Sequence, residues 1–368
     1  MAIRNVSRLY RSAEWTRHAR TILAWPGSVF LTHRDGNHPE ESCSATREVS
    51  SIAEAIAQFE PVTVLVSNNR MEHARKRFTN IPHEKNITIQ SINAEDVDLW
   101  MRDIGPTFVT RRGTDGKSIL HGISFNWNGW GGKFSTVGGR ALAAEYLHDH
   151  KIEHTMSSIV TEGGAIETDG EGTLLATESS ILNGNRNPGK TRQDVEAELC
   201  RTLGIQKVIW VPGVKGAEST DCHIDAQARF VKPGVIVLSK PSDAADTVWQ
   251  KVYDEIRQVL SSTTDAQGRS FQLVDIPEPN VMNLGFDDKT LQGFQKTTPV
   301  FNYVNYLMVN GGIVMPRFGD RIADEFASKT MVNLFGNERK VVTVLLKELP
   351  MLGGGIHCAS QEIPYTDM

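Results

Sequence analysis

Four clusters of polar residues in this sequence contain side chains that could do chemistry, and one of them holds a thiol. The run Gly353–Cys358 reads Gly-Gly-Gly-Ile-His-Cys. Glycines let the backbone approach a ligand closely, and a cysteine beside them could act as a nucleophile. A flexible glycine-rich segment with an incidental cysteine is the competing interpretation, so the remaining clusters must decide between the two.

The remaining clusters supply carboxylates and a histidine. Asp103 lies three residues after a tryptophan, Glu162 precedes two glycines, and Asp221–Asp225 reads Asp-Cys-His-Ile-Asp. If this last stretch is a strand, side-chain alternation places its two aspartates and its histidine on one face. Such a face is too polar for a core, so it predicts either a site or an exposed edge strand.

Two chemistries compete for these side chains. An Asp-x-His-x-Asp face could hold a divalent metal ion, with Asp103 or Glu162 as a further ligand, but Cys358 would then have no role. Alternatively, Cys358 is a nucleophile, His223 is a general acid/base, and the carboxylates bind a cationic electrophile. Two carboxylates can hold the planar donors of a guanidinium. We favour this second chemistry.

Composition limits the classes of partner. The 368 residues are 39% hydrophobic and carry a net charge of −5, which disfavours nucleic acid and anionic membranes as partners. The four cysteines are scattered without a Cys-x-x-Cys pair, which predicts neither a disulfide framework nor a cysteine zinc site. No apolar run approaches 18 residues. We therefore expect a cytoplasmic protein with reduced thiols.

A unit of strand, strand, helix and strand recurs about five times. Helical patterns give way to β-branched runs, and hairpin turns such as Asn310-Gly311 precede most of the helices. The predicted helix and strand pairs are Arg47–Phe59 with Val62–Val66, Gly139–His148 with Ser157–Thr161, Thr191–Leu203 with Lys207–Val211, Ala244–Leu260 with Phe271–Asp275, and Arg321–Leu334 with Val341–Leu346. The strand Thr21–Trp25 has no obvious hairpin partner.

Five such units could close radially, with short strands round an axis and helices outside. An ordinary mixed α/β sheet would also fit these patterns. No linker interrupts the chain, so we expect a single domain over residues 1–368. The last predicted strand ends near Leu346. The segment Gly353–Cys358 would then return to the axis, where its glycines leave room for a substrate.

Short motifs extend over nearly the whole chain in a specific order. They are Ala13-Glu14-Trp15, Trp100-x-Arg102-Asp103-x-Gly105-Pro106, Asn126-x-x-Gly129-Trp130-Gly131-Gly132, Glu162-Gly163-Gly164, Asn183-x-Asn185-Arg186-Asn187-Pro188, His223-x-Asp225 and Gly353–Cys358. Together they resemble the agmatine deiminase family of the guanidine-modifying (pentein) superfamily. The resemblance implies a fivefold pseudo-symmetric α/β propeller built from ββαβ units, in agreement with the repeat count.

The resemblance also implies a covalent mechanism and the residues that carry it. Cys358 would attack the guanidinium carbon of a substrate held by Asp103 and Asp225. His223 would protonate the departing ammonia and then activate water, releasing a ureido product. Glu162 matches a further acidic binding residue of the family.

By the same resemblance, Trp100 would lie beside a small cationic guanidine, most simply agmatine, which would yield N-carbamoylputrescine on the way to putrescine and the polyamines. No metal or organic cofactor is implied. A homodimer or larger homo-oligomer is compatible with the family.

Three positions depart from the family pattern, and all could surround the substrate. Ala165-Ile166-Glu167 stands where many relatives have Ser-Ile-His, Cys222 where they often have glycine, and Gly355 where agmatine-specific members usually have asparagine. A deiminase acting on peptidyl-arginine therefore remains open. The same residues are also compatible with an amidinotransferase, a metal-dependent hydrolase or a non-catalytic guanidine-binding protein.

Overall fold

Short strands and amphipathic helices alternate along the chain in the computed structural model, which describes residues 8–27, 44–93, 97–134, 137–242, 245, 247–293 and 299–367. The strands are β1 His18–Ala24, β2 Val62–Ser67, β3 Ile87–Ile92, β4 Thr107–Arg112, β5 Ser118–Ser124, β6 Glu153–Met156, β7 Ile166–Thr168, β8 Thr173–Thr177, β9 Lys207–Val211, β10 Ala228–Lys232, β11 Val235–Lys240, β12 Gln272–Pro277, β13 Leu307–Val309, β14 Gly312–Arg317, β15 Lys340–Leu345 and β16 Ser360–Pro364. The longer helices are α1 Ser44–Ile56, α2 Met71–Arg77, α3 Val137–Asp149, α4 Arg192–Leu203, α5 Thr247–Ser262 and α6 Arg321–Phe335. Shorter α-helices are Met101–Ile104, Gly129–Gly132, Glu178–Ile181 and Asp288–Gly293.

The described strands form five small sheets that share one pattern. Four of the sheets have the orders β4-β5-β6, β7-β8-β9, β10-β11-β12 and β13-β14-β15. In each, the first pair of strands is antiparallel and the second pair is parallel, with a long helix between the two parallel strands. The predicted strand, strand, helix, strand unit is therefore confirmed.

The fifth sheet joins the two ends of the chain. Its order is β16-β1-β2-β3, and β16 pairs antiparallel with β1, with Thr21 opposite Glu362 and Leu23 opposite Ser360. The predicted strand Thr21–Trp25, which has no hairpin partner nearby in sequence, thus corresponds to β1 and pairs with the last strand, β16. The prediction that the final strand ends near Leu346 is wrong, because the chain continues into β16.

Local sequence explains where several elements begin and end. The side chain of Thr191 accepts from the Asp194 amide while the Asp194 carboxylate accepts from Thr191, a capping box that starts α4. Gly204 ends the same helix at φ +71°, in the left-handed region. Gly311 at φ +73° makes the turn between β13 and β14.

The apolar faces predicted from periodicity are buried. In α1, Val49, Ile52 and Ile56 are at most 1% exposed, and the helix packs on β1, β2, β14 and β15. Burying a side chain of this size stabilises the fold by about 1.5–3 kcal/mol. None of the helices in the described ranges is long and apolar enough to cross a membrane.

One predicted strand is misplaced. The strand after α3 is β6 at Glu153–Met156, and the predicted Ser157–Thr161 lies beyond it. Glu198 of α4 accepts hydrogen bonds from the Ser157 hydroxyl and the Ser158 amide, which takes this segment out of the strand ladder. The remaining predicted elements agree to within a few residues, although Ala244 lies outside the described residues.

Candidate active site

Each unit supplies a polar segment immediately before its first strand, and these segments come together. Asp103 lies on the helix Met101–Ile104 before β4, and Glu162 precedes the 3-10 helix Gly163–Ala165 before β7. His223 precedes the 3-10 helix Ile224–Ala226, which contains Asp225, before β10. Cys358 precedes β16, and the segment before β13 contributes Asn305, which the sequence motifs did not single out.

Cys358 is held between an amide and a carboxylate. The Asn305 Nδ2 donates to Cys358 Sγ at 3.1 Å, and the Asn305 Oδ1 accepts from the Cys358 backbone amide at 3.2 Å. The sulfur also lies 3.6 Å from Asp225 Oδ2. Burial, followed by the charges on Asp225 and Asp103, raises the pKa of Cys358 well above its ordinary value. Before a cation binds, the sulfur is therefore held as a thiol.

His223 is surrounded by acids. Its Nε2 lies 3.2 Å from Glu162 Oε2, and its Nδ1 lies 3.7 Å from Asp103 Oδ2. Burial alone would lower the pKa of His223, but the charge on Asp103, the Glu162 hydrogen bond and charge, and the charge on Asp225 together raise it to about 9. At neutral pH this side chain is an imidazolium and can donate a proton.

Asp225 offers an unused acceptor. Its Oδ2 lies 2.7 Å from His357 Nδ1, whereas its Oδ1 is buried and has no hydrogen-bond partner among the described residues. Burial raises the pKa of Asp225, but the hydrogen bond and charge of His357 outweigh burial and lower it. An ionised, unpaired carboxylate oxygen is costly to bury. It therefore indicates a ligand that donates a hydrogen bond there.

Asp103 is oriented by two neutral donors. The Gly164 amide donates to its Oδ1 at 3.0 Å, and Trp130 Nε1 donates to its Oδ2 at 2.8 Å. Burial raises its pKa, and the charge on His223 opposes that rise. Trp130 stood out only as part of a motif, and its backbone at φ +51° and ψ +53° is a kink that propensity does not predict.

Glu162 already has a cationic partner. The Arg186 Nε donates to its two carboxylate oxygens at 2.8 and 3.0 Å, and both side chains are fully buried. Burial raises the pKa of Glu162, but the charges and hydrogen bonds of Arg186 and His223 together outweigh burial and lower the pKa. Glu162 is therefore an ionised partner of His223, and its direct contact with a substrate stays a prediction.

The stretch Asp221–Asp225 is not a strand. Asp221 and Cys222 have φ of +63° and +74°, which turns Asp221 away to contact Lys133 and Arg186 at 2.8 and 2.7 Å. The left-handed backbone at Cys222 explains why glycine suits this position. Among the described residues, no three histidine, cysteine or acidic side chains are grouped so as to hold a metal ion.

The glycines of the run Gly353–Cys358 make room for protein side chains. A Cβ on Gly354 would lie 2.5 Å from a ring atom of Trp100, and one on Gly355 would lie 2.7 Å from Asn305 Oδ1. Trp100 is only 7% exposed. Gly354 and Gly355 therefore pack closely on Trp100 and Asn305 and do not leave the expected space for a substrate, whereas Gly353 lines the cavity that reaches Cys358.

A buried ionic network supports the site from behind. The Nε2 of His357 lies 2.8 Å from Glu14 Oε2, and Arg229 donates to the same oxygen at 2.8 Å. His357 thus joins Asp225 to Glu14, far away in sequence. Both His357 and Glu14 stand inside the sequence motifs, but their contact joins distant parts of the chain and leaves no local signal.

A cavity of about 80 Å³ reaches Cys358, His223 and Asp225. Its further lining residues are Glu218, Thr220, Cys222, Ala226, Gln227, Pro241, Trp249, Glu278, Pro299, Val300, Phe301, Asn302 and Gly353. Trp100, Asp103 and Glu162 do not line it. The geometry suits a cation that donates hydrogen bonds to Asp225 Oδ1 beside a thiol and an imidazolium.

Comparisons with known proteins agree with this chemistry. The family model for Porphyromonas-type peptidyl-arginine deiminases matches residues 10–364. The agmatine deiminase of Pseudomonas fluorescens is 36% identical over 96% of this chain and 94% of that protein. The one from Medicago truncatula is 34% identical, with 96% and 95% covered. The solved agmatine deiminase of Enterococcus faecalis superposes with a TM-score of 0.82 at 26% identity, with 99% of each chain covered.

Proposed function

The chain belongs to the family of Porphyromonas-type peptidyl-arginine deiminases, and we propose that it hydrolyses agmatine to N-carbamoylputrescine and ammonia. It has the fivefold α/β propeller of this family. The observation that carries the reaction is the buried, unpaired Asp225 Oδ1 beside Cys358, since a guanidinium would satisfy that oxygen while it places its carbon near the sulfur.

In the proposed first half-reaction, Asp225 and Asp103 hold the guanidinium. Their charges keep the pKa of the thiol high before substrate binds, and a bound cation offsets them, so binding lowers that pKa and the thiol proton passes to water. The thiolate of Cys358 then bonds to the guanidinium carbon. His223 gives its proton to the departing nitrogen, and the carbon–nitrogen bond breaks to release ammonia.

The second half-reaction restores the enzyme. His223, now neutral, accepts a proton from water as the water oxygen bonds to the amidino carbon attached to sulfur. The carbon–sulfur bond then breaks, the proton of the added hydroxyl passes to the Cys358 sulfur as the carbonyl forms, and the ureido product leaves with the thiol restored. Glu162 helps to keep the pKa of His223 high, so that the imidazole can take a proton back from water.

The central experiment measures ammonia and ureido product from a panel of agmatine, arginine, arginine peptides and small guanidines. We expect turnover of agmatine by the wild-type protein and none by Cys358→Ala, with Cys200→Ala as a matched control at a partly exposed thiol outside the site. Release from an arginine peptide but not from agmatine would contradict the substrate assignment.

Mass spectrometry of protein quenched during turnover tests the covalent step. The amidino adduct is expected on Cys358, and an adduct on Cys222 would overturn the assignment of the nucleophile. Full activity in excess chelator would eliminate a metal-dependent hydrolase, and transfer of the amidino group to an added amine would indicate an amidinotransferase.

The proposal extends to the setting of the reaction. A single catalytic domain in the cytoplasm, acting as a homodimer or larger homo-oligomer, would supply N-carbamoylputrescine for putrescine and polyamine synthesis. Its support is the scattering of the cysteines, the absence of a disulfide at Cys200, Cys222 and Cys358 in the described part of the chain, and the ordinary, slightly acidic composition.

A further inference from the structure

A carboxylate outside the proposed catalytic set, Glu278, faces the cavity that reaches Cys358. Glu278 directly follows β12, and its backbone amide donates to the Lys240 carbonyl at 2.8 Å, which fixes it beside β11. The Ser239 hydroxyl donates to Glu278 Oε1 at 2.8 Å. No residue in the described ranges donates to Glu278 Oε2, and no described lysine or arginine pairs with this carboxylate. One oxygen therefore remains available to a ligand.

The neighbouring Glu218 lines the same cavity but is already occupied. Its Oε2 accepts from the Thr220 amide at 2.7 Å, and its Oε1 accepts from the Thr220 hydroxyl at 2.7 Å and from the Cys222 amide. These bonds fix the loop that leads to His223. Glu218 is thus a structural acceptor, whereas Glu278 has the free oxygen.

Apolar side chains also line the cavity, in addition to the polar groups at Cys358 and at Glu278. Trp249 of α5, Val300 and Phe301 contribute to its wall along with Cys358 and Glu278. An aliphatic chain that carries a guanidinium would bury its methylene groups against such a wall, at about 0.8 kcal/mol for each one. A substrate that fits these surfaces has a charged head, an apolar middle and a second polar end.

We infer that Glu278 binds a positively charged group at the end of the substrate opposite to the guanidinium, and so selects guanidines with a cationic tail over those with a neutral or carboxylate tail. This inference rests on the proposed hydrolysis of a guanidine at Cys358. It adds a specificity-determining residue that the catalytic motifs do not contain.

The protonation of Glu278 provides a second observable. Burial raises its pKa to about 7, and the Ser239 hydrogen bond opposes that rise. Glu218, His223, Asp225 and Cys358 are the titratable groups that face this cavity with it, and Lys240 and Asp320 line the adjoining cleft with Glu278. Affinity for a cationic tail should therefore increase as the pH rises through about 7.

The test compares Glu278→Gln with the wild type on two substrates that share a four-carbon chain. Agmatine carries an amine on its four-carbon chain, and butylguanidine ends in a methyl group. We expect kcat/KM for agmatine to fall about tenfold or more in Glu278→Gln, which corresponds to ~1.4 kcal/mol. The value for butylguanidine should change less than twofold. Glu325→Gln, an exposed glutamate on α6, is the matched control and should change neither.

Binding measured by calorimetry in a Cys358→Ala background separates recognition of the tail by Glu278 from hydrolysis at Cys358. There, Glu278→Gln should weaken agmatine about tenfold, remove the pH dependence of binding near 7 and leave butylguanidine unchanged. Equal losses for both ligands, or no loss for either, would overturn the role of Glu278. If the wild type releases no ammonia from any guanidine, the proposed hydrolysis fails, and the calorimetric comparison still decides whether Glu278 binds the tail.

Discussion

Asn305 offers the most direct test of how the protein controls its thiol. Its amide makes two contacts with Cys358, one to the sulfur through Nδ2 and one to the backbone through Oδ1. The hydrogen bond to sulfur lowers the thiol pKa, in opposition to burial and the nearby acids. Replacing Asn305 by alanine removes that donor, so the thiolate should become harder to form.

The size of the effect follows from the contact. A hydrogen bond to a charged group contributes about 1.5–3 kcal/mol, and one pKa unit corresponds to ~1.36 kcal/mol. Asn305→Ala should therefore raise the pKa of Cys358 by about 1–2 units. Because a more basic thiolate is also a better nucleophile, with a sensitivity near 0.5, the net loss in alkylation rate at fixed pH should be about 3- to 10-fold.

The assay is the rate at which iodoacetamide alkylates Cys358, measured by mass spectrometry of its peptide between pH 6 and 10. Cys200, which is partly exposed on α4, provides an internal reference thiol in the same sample. Thermal melting of each variant controls for loss of fold.

Asn305→Asp separates electrostatics from packing. Aspartate preserves the size of asparagine and the acceptor for the Cys358 amide, but it places a negative oxygen close to the sulfur. If the donor to sulfur is what matters, the aspartate variant should be slower than the alanine variant. An aspartate variant that reacts faster than the alanine variant would refute the electrostatic reasoning and leave Asn305 as a packing residue.

Three further predictions test separate parts of the structure. If His223 acts as the proposed acid, activity should fall above pH about 9, and Glu162→Gln should move that limb down by about 1 unit or more in a pH profile of kcat/KM. Gly164→Ala would place a Cβ 2.6 Å from His223 Nδ1 and should reduce kcat/KM about 100-fold, whereas Gly184→Ala, with open space around it, should not. Thr191→Ala removes the capping box of α4 and should cost about 1 kcal/mol in urea unfolding with kcat unchanged.

Local patterns predicted most of the fold because each unit is built from short-range signals. Hairpin turns such as Asn310-Gly311 and helix ends such as Gly204 depend on φ angles that few residues adopt, so they are visible in sequence. The strand Ser157–Thr161 was misplaced because the decisive contact is a side chain, Glu198, from the following helix. Tertiary hydrogen bonds of this kind leave no periodic signal.

The site was only partly predictable for a related reason. Cys358, His223, Asp103 and Asp225 stand beside glycines or in polar runs that a core would not tolerate. Asn305 stands in a buried, largely aromatic stretch before β13, where an asparagine looks like an isolated turn residue. The pseudo-symmetry could have identified it, because every other unit contributes a polar side chain from the segment before its first strand.

The strand that the sequence patterns did not predict determines where the proposed nucleophile lies. Cys358 stands two residues before β16, and β16 is held in place by its pairing with β1 at the opposite end of the chain. Glu362 on β16 further accepts a hydrogen bond from Arg102 Nη1 at 2.7 Å, next in sequence to Asp103. The contact that closes the ring of units therefore also brings the thiol to the acids. A chain that has folded its first four units still lacks a reactive cysteine until its last strand docks, so catalytic competence should appear only with closure of the whole propeller.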